Sequence, residues 1–344
     1  MKKIILTLFC CLVLNMTAVA NESVEFVDTF STKNPAQNKV WVGTFQLVWN
    51  DFINEILKSP VKFVTGSQKL VKNLNKQEFT QDMLSSEAYY KTYGKTSLAL
   101  KGEIENAIME KFGEKSEILE TIDWNKPNGA YFLYAMLKKD FSFLNKFNQL
   151  NIAEFGKNKV ETQYFGISET SKKQLYNNVK VLFFNNTEEF AVVLRTQSDD
   201  EVILYRTDKN GSFKTLYNNM NKQAQRYKGN NNFVAGDKIK IPYVVFKDNV
   251  NFDEICNREI KGKERLYIEK ALQTVDFDMN EEGVKLKSEA ALDVSLMSFL
   301  PPKGEKGREM FLDDTFVIFL KETDKTKPYF AARINDLILF NNKK

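Results

Sequence analysis

The chain reads as an α+β protein, and three features of the sequence predict that class. Apolar residues at helical spacing are concentrated in the early part of the chain. Short β-rich segments separated by Asn, Asp and Ser turns fill most of the remainder. The uncharged run Ala130–Leu137 (AYFLYAML), bounded by Gly129 and Lys138, predicts a strand buried on both faces of a large sheet. A length of 344 residues suits one large domain or two of average size. With 43% hydrophobic and 27% charged residues, and only 15 Gly and 7 Pro, low-complexity and collagen-like readings are excluded.

Residues 1–20 have the pattern of an export signal. Lys2 and Lys3 precede an apolar run at 4–14, and Ala18-Val19-Ala20 forms a small-x-small cleavage site before Asn21. The run is shorter than the ~20 residues a spanning helix needs. Cys10 and Cys11 follow the bulky Leu8-Phe9, which disfavours a lipoprotein anchor, so a secreted, extracellular or periplasmic protein with no membrane span is expected. The mature chain, residues 21–344, is then a single domain.

Taken in order, residues 21–40 are a polar lead-in. Residues 41–57 carry apolar side chains at 45, 48–49, 52–53 and 56, which predicts an amphipathic helix ended by Ser59-Pro60. A strand is expected at 61–67 and helices at 78–93 and 103–112, the second with Ile104, Ile108 and Met109 on one side. The segments 179–184, 190–195 and 202–206 predict an antiparallel meander, followed by a helix at Phe213–Arg226. Residues 238–246 (KIKIPYVVF) predict a strand that Pro242 restricts to an edge or a bulge. A short helix is expected at 252–259 and a short strand at 275–279, then the polar turn Asn280-Glu281-Glu282-Gly283. Beyond it, Val284, Leu286, Ser288, Ala290, Leu292, Val294 and Leu296 alternate with a second, more polar set, a pattern ~45 Å long at strand rise. That is longer than the usual strand, so the segment is either a long strand or a long exposed loop with a strand's pattern. Two apolar strands at 315–320 and 329–339 enclose a turn at 322–327. No repeat of fixed period is present.

The chemistry open to the chain is narrow. It contains no histidine, which removes Ser-His-Asp and Cys-His catalysis, histidine-ligated zinc and histidine bases. Loss of residues 1–20 takes two lysines and lowers the formal charge from +4 to +2, so no polycationic footprint for nucleic acid exists. Two of the three cysteines leave with that segment, and Cys256 after Ile255 reads as a small buried hydrophobe. Asp199-Asp200-Glu201 and Asp313-Asp314 lack the spacing of a metal loop and read as solvated turns. Glu281 and Glu282 are adjacent on a turn without a partner base, and residues 303–308 lack the ending of a phosphate-binding loop. The acceptor patterns at Asn185 and Asn210 carry little weight beside a bacterial-looking signal. No catalytic, cofactor or metal site emerges, and an enzyme is not expected.

Residues 266–283 (LYIEKALQTVDFDMNEEG) align without a gap to a pattern of roughly LYVSKVVHKAFIEVNEEG, and residues 315–336 to PFLFLIRDNKTGTILFMGRVVN. Residues 241–252 resemble LPKFKIEYEVDL, and residues 104–137 resemble the helix and strand ending in IDPDTRLVLVNAIYF. These are patterns of the serpin family, which the chain resembles over most of 61–337. The departures are Tyr134 for the strand asparagine, Gln273 for the strand histidine, and Ala332 and Leu337 in the closing hairpin; early helices are also missing. The resemblance implies a large mixed or antiparallel sheet with the early helices packed on it, a smaller sheet, and a reactive-centre loop. It implies a monomeric inhibitor without cofactor that acts as a suicide substrate of a serine-type or cysteine protease. The hinge would be Glu281, Glu282, Gly283, Val284, Leu286, Ser288 and Ala290. Family spacing places the reactive bond at Met297–Ser298, which suits an elastase-like or chymotrypsin-like target. Inhibitory members carry small residues where this chain has Val284-Lys285-Leu286-Lys287, so the alternative is a non-inhibitory binding or structural protein whose residues 284–296 form a fixed strand.

Overall fold

A computed structural model describes residues 24–125, 130–263, 266–285 and 307–341. The chain begins with β1 (Glu25–Phe26) and β2 (Lys39–Val42), then turns at Gly43 into α1 (Thr44–Asp51). This helix widens without a break into a π-helical turn, Phe52–Leu57, which Lys58 ends in the left-handed conformation (φ 56°). After α2 (Lys69–Leu74) come two single 3₁₀ turns and β3 (Tyr89–Lys95). Helix α3 (Leu98–Phe112) starts where Ser97 Oγ accepts a hydrogen bond from Leu100 N at 3.2 Å and stops at the left-handed Gly113.

Strands then dominate: β4 (Ala130–Leu137), β5 (Asp140–Ser142), β6 (Asn148–Phe155), β7 (Val160–Ile167), β8 (Val179–Asn186), β9 (Glu189–Arg195) and β10 (Asp200–Arg206). Helix α4 (Phe213–Arg226) is capped by Ser212 Oγ, which accepts from Thr215 N. The remainder is β11 (Lys238–Pro242), β12 (Val244–Asn251), β13 (Tyr267–Met279), β14 (Gly283–Lys285), β15 (Glu309–Phe311), β16 (Phe316–Glu322), β17 (Phe330–Ile334) and α5 (Ile338–Asn341).

These strands make three sheets. A seven-stranded sheet has the order β1-β2-β17-β16-β10-β9-β8, a four-stranded sheet the order β15-β11-β7-β6, and a six-stranded sheet the order β3-β4-β13-β14-β5 with β12 on the other edge of β13. The seven- and six-stranded sheets meet through aromatic rings. Phe277 of β13 stacks on Phe330 of β17 at 4.9 Å, and Phe246 of β12 lies 5.4 Å from both Phe277 and Phe340. The six-stranded sheet is covered on one face by α1, whose Phe45, Val48 and Trp49 pack with Leu133, Ala135 and Ala271. Its other face is covered by α3, whose Leu100, Ile104 and Ile108 pack with Phe132, Tyr134 and Leu272. Among the described residues no helix is long and apolar enough to cross a membrane.

Several expectations are corrected. Residues 78–93 are not a helix but 3₁₀ turns leading into β3, because the Tyr-rich end of that segment finds a full antiparallel partner in β4. Residues 61–67 form only an isolated bridge, Phe63 to Ile260, and 252–259 only the turn Asp253–Ile255. Residues 238–246 are two strands in two sheets, parted at Tyr243. Pro242 is therefore neither at a sheet edge nor in a bulge. It is the last residue of an interior strand and lies beyond the pairing with β15, so its missing N–H leaves no gap. Strand β13 is 13 residues long rather than a short strand at 275–279, since β4 supports its first half. The helix expected at 41–57 starts only at Thr44, and the last strand stops at Ile334. Strands β6 and β7 had no counterpart in the sequence reading; β6 is a polar edge strand with no buried alternating face.

Candidate functional site at the fork of the central sheet

In the six-stranded sheet β13 and β4 run parallel as an interior pair, while their outer neighbours run antiparallel to them. The pairing runs from Tyr267↔Ala130 to Thr274↔Met136, with an irregularity between Ile268 and Lys270. A parallel ladder is slightly weaker per residue than the antiparallel ladders flanking it, so this seam is the weak line of the sheet.

The seam forks at its end. Past Leu137 the chain leaves β13 through Lys138 and Lys139 to become β5, and β14 occupies the space between β13 and β5. Strand β14 pairs antiparallel with both, Met279↔Val284 on one side and Val284↔Phe141 on the other. It lies on the same edge of β13 as β4, because β12 takes the opposite edge at Asp278 and Met279. The Val284 side chain is fully buried in the main core cluster.

The turn feeding this wedge is fastened from several directions. Asn280 N donates to Gly283 O at 3.1 Å, and Glu282 N donates to Asn280 Oδ1 at 2.9 Å, an Asx turn. The carbonyls of Glu281 and Glu282 accept from Phe147 N and Phe143 N, each at 2.9 Å. Tyr243 donates its hydroxyl proton to the Glu281 carboxylate and accepts from Gln149 Nε2 at 3.2 Å. Burial first, and the bond to Glu281 second, push the Tyr243 phenol up to about 12. Lys146 reaches Glu282 at 2.8 Å and Glu281 at 3.6 Å, and the hydrogen bond to Glu282 raises its pKa.

Deeper in the seam, Gln273, which is 3% exposed, donates Nε2 to Thr44 Oγ1 at 2.6 Å and so ties β13 to the start of α1. The chain returns at Gly307 and Arg308, where Arg308 grips the nearly inaccessible Asp237 carboxylate at 2.6 Å and donates to the carbonyls of Asn230 and Asn232.

Of the residues singled out from the sequence, Glu281, Glu282, Gly283 and Val284 thus converge on the fork. Leu286, Ser288, Ala290, Met297 and Ser298 lie outside the described residues. Glu281 and Glu282 share Lys146, and Glu281 has Tyr243 as an additional partner. Sequence reasoning missed the clasp: Phe141, Phe143, Phe147, Lys146 and Tyr243. The alternation Asp140-Phe141-Ser142-Phe143 directly after β4 is the signal that marks the first two. Asp200 is a correction. Expected on a solvated turn, it is 6% exposed and bonded to Lys139 and Tyr329. Cys256 is the buried hydrophobe expected, its thiol pushed up to about 12 by burial and then by Asp253.

No family model and no curated protein matches the chain. Solved structures do. Mouse protein-Z dependent protease inhibitor superposes with a TM-score of 0.53 at 10% identity, over 87% of this chain and 91% of that one. Serpin48, described as a highly specific serpin in the insect Tenebrio molitor, gives 0.47 at 13% over 87% and 92%. Human thyroxine-binding globulin complexed with thyroxine gives 0.45 at 13% over 70% and 65%.

Proposed function

We propose that this chain, which has the serpin fold, is an exported suicide-substrate inhibitor that offers residues 284–302 to a serine-type or cysteine protease. The observation that carries this reading is β14: the first hinge residues lie as a strand in the line along which β4 and β13 part. The protease nucleophile attacks the Met297 carbonyl carbon and the bond to Ser298 breaks. The Ser298 nitrogen takes a proton, and the Met297 acyl group stays on the protease. The freed chain then lengthens β14 into the seam. A strand antiparallel to β13 is antiparallel to β4 as well, so one parallel ladder is exchanged for two antiparallel ones. Alternation from the buried Val284 puts Leu286, Ser288 and Ala290 on the same side and Lys285, Lys287 and Glu289 on the other. Leu286 is the bulky member and slows the first step of entry. Incubation with elastase-like and chymotrypsin-like proteases, followed by a denaturing gel, tests the reading. The expected result is a covalent complex; simple cleavage of the loop without a complex overturns it.

A second reading, a non-inhibitory binding protein, is favoured by a separate observation. A cavity of about 220 Å3 is lined by Phe30, Trp41, Phe79 and Tyr217, and three of its lining residues hold buried polar atoms without a partner: Ser31 Oγ, Trp41 Nε1 and Gln46 Oε1. Thermal melting before and after cleavage of the loop separates the two readings. A large rise in melting temperature on cleavage supports the inhibitor, and an unchanged melt supports the binding protein.

A further inference from the structure

The link between β4 and β5 is anchored by a buried ionic cluster. Lys139 Nζ lies 2.5 Å from Glu322 Oε1 and 3.0 Å from Asp200 Oδ1, and 5.3 Å above the Tyr329 ring. Asp200 and Glu322 are directly opposite one another on β10 and β16, an arrangement of like charges that repels unless a cation lies between them. The remaining carboxylate valences are filled: Tyr329 hydroxyl and Ser198 Oγ donate to Asp200, and Ser85 N donates to Glu322 Oε2 at 3.0 Å. Only 6% of Asp200 and 4% of Glu322 is exposed.

The position of this cluster gives it a mechanical consequence. Beyond Lys139, the end of β5 and the residues after it are also tied to the seven-stranded sheet. Gln197 N donates to Ser142 O and Leu144 N donates to Arg195 O, each at 2.9 Å, and Phe143 bridges to Thr196. On the other side of β13, β12 and β13 are joined to β17 by the Phe246, Phe277 and Phe330 rings. If the seam opens, the pair β3–β4 is what swings away. Both of its strands are tethered at the fork end by one cluster, β4 through Lys139 and the approach to β3 through Ser85, since Tyr89 lies opposite Leu137.

We propose that Lys139, held between Asp200 and Glu322, is a positioning residue that tethers the β3–β4 pair at the fork and sets how readily the β4–β13 seam parts. The tether gains its role from the inhibitor reading, in which residues beyond Lys285 enter that seam.

Hydrogen exchange of the full chain tests it without any protease. In Glu322→Gln and in Lys139→Met, amides at 131–136 and 268–274 are expected to exchange at least about tenfold faster, while those at 191–194 are unchanged. Lys139→Arg restores the slow exchange. Unchanged exchange at the seam overturns the tether, and so does an equal acceleration in every strand, which is what a purely structural ion cluster produces. Glu322→Gln keeps an acceptor for Ser85 N and a polar partner for Lys139, so it remains informative if Lys139→Met does not fold. Faster seam exchange in a chain that forms no covalent complex leaves the tether standing and removes the inhibitor reading.

Discussion

Gly283 has no space for a side chain: a Cβ there would lie 2.1 Å from Phe141 O and 2.8 Å from Ser142 Cα, both backbone atoms of the neighbouring strand. Gly283→Ala should therefore push β14 off β5 and cost about 1–3 kcal/mol, read as a lower urea midpoint and faster exchange of residues 283–285. Tyr243 acts at the same turn through its proton. Its folded value of about 12 lies above the ordinary 10, so the stability it contributes is complete below pH 10 and is lost as pH rises toward 12. Tyr243→Phe should remove that alkaline loss from a pH series of thermal melts. Lys39 has the opposite sign. It is 1% exposed, donates to Asn34 O, Asn210 Oδ1 and Gly211 O, and stands opposite Arg333 on β17. Burial, then Arg333, lower it from 10.5 to about 8, so the fold prefers the neutral amine. Stability should rise between pH 8 and 10.5, and Lys39→Met should flatten that rise.

At the scale of elements, the described chain is fastened on both sides of residues 286–306, by the clasp on the turn at 280–283 and by Arg308 on Asp237. Asp237 is 3% exposed, so Arg308→Met leaves a buried carboxylate unpaired and should cost about 3–5 kcal/mol in chemical denaturation. Strand β13 is held to α1 by Gln273 and Thr44. Gln273→Ala should cost about 1–3 kcal/mol, because the Thr44 hydroxyl loses its partner in a dry site. A loss of less than a few tenths of a kcal/mol would show that the seam relaxes around it. The elements themselves were unevenly legible. Strands β4, β8, β9 and β10 and helix α4 stand out from pattern alone, the strands as short β-rich apolar runs between turns and the helix by its apolar spacing. Strand β6 does not, because an edge strand exposed on both sides carries no period, and β3 forms where a helix is expected because its partner β4 lies far along the chain.

At the scale of the whole molecule, β12 and β13 pack on β17 through aromatic rings, while α1 and α3 pack across the β4–β13 seam on the two faces of the sheet. The three-residue β14 lies where β4 and β13 diverge. The turn at 280–283 was legible because the motif ending in Asn-Glu-Glu-Gly is contiguous. The clasp was not, since Tyr243 comes from the β11–β12 connection and Phe143 and Lys146 from the β5–β6 connection, and both meet residues 281–282 only in the folded chain.

The sequence by itself determined the α+β class, the absence of histidine chemistry, the resemblance to the serpins, and the contiguous turn Asn280-Glu281-Glu282-Gly283. Local pattern suffices for these, because side-chain period, composition and a contiguous motif survive without knowledge of long-range pairing. Only the tertiary structure decided that β13 lies directly against β4, that Val284 is a strand residue wedged beyond that contact, and that Asp200 is buried against Lys139 and Tyr329. Each of these depends on which distant strand supplies the hydrogen bonds and the counter-charge, and no local window of the chain contains that information.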